Sequence, residues 1–456
     1  MNKTNRDLTR EEIIEITKKI KGKPFGEFKG FKKNKNKGMI GVLVEEDGFK
    51  YEANSESEPD FPKAGLELKV TPYKRLKNNL YSAKERLVLN MINFNKESDV
   101  FEESSFWKKN KELLILFYEH LENNDKSKFS INYFKEFSFP EKDLIIIKQD
   151  WEKIRNKIEI GKAHEISEGD TLYLGACTKA KDSTVKTTQP NSSILAKPRA
   201  YSLKTTYMTQ LVRQIISCET SKLEKIADSL LVDYQNFEES LVARIGKYYG
   251  KGQKELSEKF ELNIEAKHVN ELIISKILGL KGKISRTDEF LKANIIVKTI
   301  RVEKNNSIKE SMSFPTFKYT EIVNQDWEDS DLYEMLYSAK FLFVIFKNNG
   351  SDYILIKSMF WNMPESNIEN QAKEVWETTK NLVKNGLIIK EQKRNKDYTY
   401  FPDTRFNGYL HVRPHGKNKN DVYKLPVPDK LTGKKEHLKH CFWFNSRYIK
   451  EVIGIK

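Results

Sequence analysis

From Leu66 onward the chain alternates, with Leu66, Leu68 and Val70 apolar and Glu67, Lys69 and Thr71 polar. A period of two predicts a strand whose apolar residues share one face while Glu67 and Lys69 share the other. Pro59 and Pro62 interrupt regular structure just before it and leave Asp60 in a bend leading into the strand. Nearer the N-terminus the period is that of a helix. Thr9 and Glu12 have capping-box spacing, Ile13, Ile16 and Ile20 fall on one side, and the run Lys21, Gly22, Lys23, Pro24 ends the element. A further apolar run from Gly38 closes on Glu45. Residues 86–94 and 113–117 read as buried strands, and a helix from Lys148 sets Trp151, Ile154 and Ile158 on one face before stopping at Gly161. Residues 173–181 read as a loop, and 198–204 as the lead-in to a short apolar helix ending near Cys218. Residues 219–252 read as a charged helical connector.

The pattern then begins again. Ile13 and Ile14 with Lys21, Gly22 and Lys23 recur 260 residues on as Ile273 and Ile274 with Lys281, Gly282 and Lys283. Residues 61–69 match 290–298 at an offset of 229, and Trp151 to Gly161 matches Trp376 to Gly386 at the same ten-residue interval. Tyr409 with Leu410 matches Tyr173 with Leu174, and residues 442–448 match 201–207. Five matches in one order make the chain two copies of one fold. Their chemistry differs: Ile296 stands opposite Glu67 and Glu289 opposite Asp60. The fall in offset removes 31 residues from the second copy where the first carries Glu45 and the basic tract 32–37.

Composition narrows the partner. Of 456 residues 38% are hydrophobic and 32% charged, enough for two or three globular domains with a polar surface. A net charge of +15 favours a polyanion, most simply nucleic acid, over a membrane, since no apolar run is long enough to span or anchor. The first ten residues are polar, without a signal-peptide core. Cys177, Cys218 and Cys441 are scattered and form neither a disulfide framework nor a zinc site. These features place the protein in the cytoplasm, bound to something negative.

Asp60, Glu67 and Lys69 carry the candidate chemistry. Two carboxylates at one strand edge suit a hard divalent cation such as Mg2+, with coordination left for water and a phosphate oxygen. Lys69 then steadies the attacking water or the phosphate. The competing interpretation of the same spacing is a solvated strand face. Glu45 is a third acidic candidate. Lys179 and Lys181 project from a loop suited to a DNA groove, against the alternative of a plain surface loop. In the second copy Arg413, Lys417, Trp443 and Arg447 form a basic, aromatic edge. His411 and His415 lie four apart, but Pro414 between them argues against a helical zinc pair and leaves them as phosphate or base contacts at most.

Glu45, Asp60, Glu67, Lys69, Asp150, Trp151, Glu152 and the segments 173–181 and 198–204 resemble the MutH-like nucleases in type and order. With the duplicated second half, nearly the whole chain resembles the Sau-type GATC type II restriction endonucleases. The resemblance implies an α/β (α+β) chain of two tandem PD-(D/E)xK folds, each a mixed sheet flanked by helices, forming a pseudo-dimer. It implies a catalytic domain at 1–218, a helical connector at 219–256 and a degenerate domain at 257–456 that is inactive and binds effector DNA. The implied activity is Mg2+-dependent hydrolysis of double-stranded DNA at GATC, leaving 5′-phosphate ends. Asp60 and Glu67 would hold the metal, Glu45 falls on the family's helix glutamate, and a further active-site lysine falls on Lys109 or Lys111. The DNA-reading segment implies Lys179, Lys181, Arg199, Ser202 and Lys204, with Cys177 and Ser202 standing where the repair enzyme has arginine and tyrosine. The expected state is a monomer, with a dimer on DNA as one of two ways to sever both strands. The alternatives are a MutH-type nicking repair endonuclease and a non-catalytic DNA-binding protein.

Overall fold

The computed structural model describes residues 6–32, 38–53, 56–76, 79–121, 125–180, 184–217, 223–226, 236–308, 311–393 and 396–455. The expectations on residues 33–37, Lys181 and Cys218 lie outside them. The protein is of mixed α/β type and divides into two compact units. The first is Met1–Lys225 with Arg286–Asn294, and the second is Ile226–Ser285 with Ile295–Lys456.

In the first unit α1 (Arg10–Ile20) opens with the expected capping box, Thr9 accepting from the Glu12 N–H and Glu12 from that of Thr9. It is followed by α2 (Met39–Leu43), which runs on through a π turn, Val44–Gly48. Strand β1 (Glu67–Arg75) pairs antiparallel with β2 (Tyr81–Ala83) and parallel with β4 (Glu112–Glu119), which pairs antiparallel with β5 (Ile131–Ser138). The order β2-β1-β4-β5 buries β1 and β4 in the middle of the sheet. One face packs Leu66, Leu68, Leu114 and Leu116 against Ile13, Ile20, Leu43 and Val44. A parallel strand is covered on both faces, so Glu67 on the opposite face is only 2% exposed rather than solvated.

A second sheet has β9 (Arg199–Leu203) between β3 (Leu87–Met91) and β6 (Leu174–Thr178), all antiparallel. The stretch from 173, expected as a loop, is thus a buried strand as far as Cys177, and only Thr178 and Lys179 emerge from it. The missed signal is the short apolar run Leu174, Gly175, Ala176, Cys177, too brief to show a period. Helix α4 (Glu141–Glu159) begins seven residues before Lys148, directly after Pro140. The buried Asp150 of α4 accepts the N–H groups of Leu172, Tyr173 and Leu174 at 2.7, 2.6 and 2.9 Å, fixing where β6 starts. The helix ends at Gly161, whose φ of +73° and approach to the Asn191 carbonyl leave no room for a side chain. Helix α5 (Thr205–Ile216) follows β9.

The segment Arg286–Asn294 is held in this unit by a buried ion cluster. Lys292 Nζ lies 3.0 Å from both oxygens of Asp143 and 2.9 Å from Asp288, and Tyr207 donates to Asp143 at 2.9 Å. Burial alone would lower the Lys292 pKa, but the two carboxylates outweigh it and hold it above the ordinary lysine value.

The second unit repeats these pairings. Ile295–Val302 is parallel to Lys340–Asn348, which is antiparallel to Tyr353–Trp361. His440–Phe444 lies between Met312–Phe317 and Leu410–Pro414. Its helix Lys373–Lys384 is closed by Gly386 at φ +63°, as Gly161 closes α4. Phe237–Gly246, within the stretch expected as a connector, packs Phe237, Leu241 and Ile245 inside this unit.

Phe61 ties the bend before β1 to the core. It is fully buried, meets Phe49 and Tyr51 edge-on at 5.2 and 5.5 Å, and exchanges backbone hydrogen bonds with Leu66. Phe61→Ala should lower the stability of the first unit by about 3–5 kcal/mol, read as an earlier first transition in denaturant unfolding.

Candidate active site

The Phe61–Leu66 bridge folds the chain back on itself, with Gly65 at φ +65° making the turn, and so returns Asp60 to Glu67. The two then lock reciprocally. The Asp60 N–H donates to Glu67 Oε2 at 3.0 Å, and the Leu68 N–H donates to Asp60 Oδ2 at 3.0 Å. Lys69 Nζ sits 2.7 Å from Glu67 Oε1 and donates to the Leu89 carbonyl at 3.0 Å. From α3 (Ser105–Asn110) Lys109 reaches to 3.7 Å from Glu67 Oε2 and donates to the carbonyls of Glu56 and Glu58 at 2.6 and 3.1 Å. Lys111, just past the end of that helix, is exposed and is not brought to Glu67. Of the two candidate lysines, Lys109 is the one that reaches Glu67.

Glu45 joins from the π turn, and burial, reinforced by the charge of Asp60, pushes its pKa up to about 7 against the pull of Lys69. Burial likewise raises the Glu67 pKa, with Lys69 opposing. Three carboxylates and two ammonium groups therefore occupy one buried edge. Arg6 was not anticipated: its guanidinium donates to the Asp60 carbonyl at 3.0 Å and the Pro59 carbonyl at 3.3 Å and pairs with Glu56. A lone arginine in a polar N-terminal segment offers no spacing from which that contact could be read.

The donor set fits a hard cation. One oxygen of Asp60 takes the Leu68 N–H and leaves Oδ1, while each Glu67 oxygen keeps a second lone pair. Among the described residues no three acidic, imidazole or thiol groups converge closely enough to hold an ion alone. Water and a phosphate oxygen must complete the shell, as such ions tolerate.

The expected DNA contacts separate into two classes. Lys179 is exposed at the end of β6, its N–H bonded to the Pro198 carbonyl at 2.9 Å. Arg199, Ser202 and Lys204 are instead buried, at 0%, 0% and 1% exposure, and do not reach a surface that DNA could meet. Arg199 donates to the Ala176 carbonyl at 2.9 Å and Lys204 to that of Thr171 at 2.6 Å, so both brace the sheet from inside. In the second unit Arg413, Lys417 and Arg447 are exposed, and Arg413 stacks on the half-buried Trp443 at 5.4 Å. His415 is exposed against Trp443, but His411 is fully buried, and burial lowers its pKa to about 4, so it stays neutral and makes no surface contact.

Ile296 falls opposite Phe341 and Lys298 opposite Phe343, as Glu67 and Lys69 fall opposite Leu113 and Ile115. Lys298 is half-buried, and desolvation lowers its pKa, with Glu271 the carboxylate that opposes the shift. Glu289 lies on the segment packed in the first unit, where its charge is felt by Tyr173.

Residues 49–150 match the family of the DNA mismatch repair enzyme MutH. The chain is also 35% identical over 482 aligned residues to the type II restriction enzyme Sau3AI of Staphylococcus aureus, covering 98% of each chain.

The raised pKa of Glu45 gives a pH signature without any metal. An acid whose folded pKa exceeds its ordinary value stabilises the fold below the lower pKa and loses that contribution as pH rises through the higher one. Between pH 4.5 and about 7 the metal-free protein should lose thermal stability that Glu45→Gln retains. Parallel melting curves of the two proteins across that range would refute this assignment.

Proposed function

Because the chain belongs to the Sau-type restriction endonucleases that carry a MutH-like domain, we propose that its first unit cuts both strands of DNA at GATC with a divalent cation, Mg2+, held by Asp60 and Glu67. The enzyme is a type II restriction endonuclease, a site-specific deoxyribonuclease acting on DNA. The observation that carries the reading is the convergence of Lys69 and Lys109 on a glutamate locked to Asp60. When bound, the cation supplies a more acidic water and stabilises charge growing on the phosphate. Lys69, on the same edge, orients the attacking water, and Lys109 offsets negative charge as it accumulates. In-line attack forms a bond from water oxygen to phosphorus and breaks the bond to the 3′ oxygen, leaving 5′-phosphate and 3′-hydroxyl ends. Lys179 reads a base edge from the end of β6. Cleavage is a cytoplasmic activity in this reading, and among the described residues no helix is long and apolar enough to cross a membrane.

The matching strand registers support reading both units as PD-(D/E)xK folds, tandem copies of one scaffold. The second copy is catalytically silent in this reading, since Ile296 offers no ligand at the register position that Glu67 holds in the first. Its exposed Arg413, stacked on Trp443, and its exposed Lys417 and Arg447 support reading it as a binder of a second DNA segment. A nicking repair enzyme, built from a single copy, has no use for that second unit. One centre cuts a palindrome by rebinding in the opposite orientation or by pairing two chains on DNA, and the second unit favours pairing.

Purified protein with Mg2+ should turn unmethylated plasmid into a discrete ladder with 5′-phosphate ends. Asp60→Ala, Glu67→Ala and Lys69→Ala should each lower cleavage by about a thousandfold or more, while affinity, set mainly by phosphate contacts elsewhere, stays within about threefold. Lys109→Ala should cost about tenfold or more and Lys111→Ala less than about threefold. Near-normal cutting by Glu67→Ala would remove this site from consideration.

An uncleavable GATC duplex added in trans should speed cutting of a one-site plasmid by full-length protein, and Arg413→Ala or Trp443→Ala should blunt that stimulation while single-turnover chemistry on a two-site plasmid persists. Equal rates with and without the added duplex would leave the second unit without an effector role.

A further inference from the structure

One buried polar group beside the three carboxylates has no role in the chemistry above. Tyr51 follows the π turn that carries Glu45, and its N–H donates to the Glu45 carbonyl at 3.2 Å. Its ring packs edge-on against Phe61, the residue after Asp60, with centroids 5.5 Å apart at 80°. The residue is 6% exposed, and its hydroxyl oxygen is sealed from solvent with no hydrogen-bond partner. Burial first, and then the charges of Asp60, Glu45 and Glu67 in that order, push its pKa far up, with Arg6 the cation acting the other way. The hydroxyl thus sits within the field of the whole carboxylate cluster without touching any member of it, and it remains a protonated donor throughout the working pH range.

Packing does not account for this oxygen. Phenylalanine would fill the same space against Phe61 and Phe49. A buried hydroxyl with no partner costs about 1–3 kcal/mol. A buried donor without a partner, on a residue bonded through its backbone to Glu45 and packed on the neighbour of Asp60, is suited to a small acceptor lodged there, and water bridges such gaps nearly as well as a direct bond.

We propose that Tyr51 is a positioning residue of the active site, its hydroxyl donating a hydrogen bond to a water molecule lodged between Asp60 and Glu45 when the site is loaded for cleavage. The proposal rests on the reading of Asp60 and Glu67 as the cation site. The water gains a fixed donor on its protein side, so its lone pairs and protons keep one orientation toward the carboxylates. That orientation costs nothing at the moment of reaction, because Phe61 and the Glu45 carbonyl already hold the tyrosine in place.

The test compares full-length wild type, Tyr51→Phe and Asp60→Ala. Three quantities are measured: melting temperature without metal, the shift in melting temperature as Mg2+ is titrated without DNA, and single-turnover cleavage. Without metal, Tyr51→Phe should melt at the wild-type temperature or above it, because an unsatisfied buried hydroxyl has been removed. Its half-point for the Mg2+-induced shift should rise by about tenfold and its cleavage rate should fall by about tenfold, the worth of one hydrogen bond. A wild-type Mg2+ response and rate in Tyr51→Phe would overturn the proposal. A lower metal-free melting temperature would overturn it too, since the hydroxyl would then have a structural partner. Asp60→Ala separates the two levels. If it abolishes the Mg2+ shift while Tyr51→Phe keeps it, the tyrosine proposal alone fails; if Asp60→Ala keeps a wild-type shift, the cation site itself fails and the tyrosine proposal with it.

Discussion

Two like charges buried side by side are the constraint on which the first unit is built. Desolvating Asp60 and Glu67 together is costly, and their mutual repulsion adds to that cost. The fold answers with backbone N–H groups before it uses cations: each carboxylate accepts the N–H that begins or follows the other's segment. This exchange fixes the distance between the two groups without neutralising either. Lys69 and Lys109 then compensate part of the charge, and both are also tied to backbone carbonyls, so neither can swing away. What remains is a net negative edge, where burial, reinforced by the charge of Asp60, pushes the Glu45 pKa up to about 7. Preorganisation of this kind is what a phosphodiester hydrolase needs, since the geometry is set before the substrate arrives.

Sequence periodicity carried the frame of this site and little of its detail. The alternation from Leu66 gave β1 and its two faces, the capping box gave α1, and Gly161 gave the end of α4. Each is a local rule that acts within a few residues. Selecting Lys109 over Lys111 was beyond such rules, because both sit in one short basic run and only the pitch of α3 decides which turns inward. Arg6 and Tyr51 were missed for the same reason. One is an isolated cation far from the bend it grips, the other an aromatic among many, and long-range packing alone gives either a meaning. The strand from Leu174 to Thr178 was lost because four small or apolar residues in a row have no period.

Positive charge is divided between the surface and the interior. A net +15 was read as a mark of a polyanionic partner, yet Arg199, Lys204 and Lys292 are internal fasteners. Arg199 and Lys204 both end on carbonyls at or near β6, and Asp150 collects three N–H groups at its start. The strand that leads to Lys179 is therefore held along its length by buried charged groups. Hydrogen bonds to charged groups are the stronger class, so they hold the backbone leading to Lys179 in place. Arg199 and Lys204 are of a type that suggests contact with a polyanion, but their burial makes them braces of the sheet.

The second unit separates scaffold from chemistry. Its strand pairings and its helix-closing glycine match those of the first unit, so the packing demands that specify the fold have been met twice. Its central strand keeps the lysine, Lys298, but replaces the glutamate beside it with Ile296. That replacement removes a buried charge whose burial must otherwise be compensated, so once no cation is to be held the apolar residue is the more stable choice. Lys298 is left with desolvation lowering its pKa and Glu271 as the carboxylate that opposes the shift. Fold and function thus make different demands on the same positions: the strand and its parallel pairing form with Ile296 where the first unit has Glu67, whereas an apolar side chain offers a cation no oxygen.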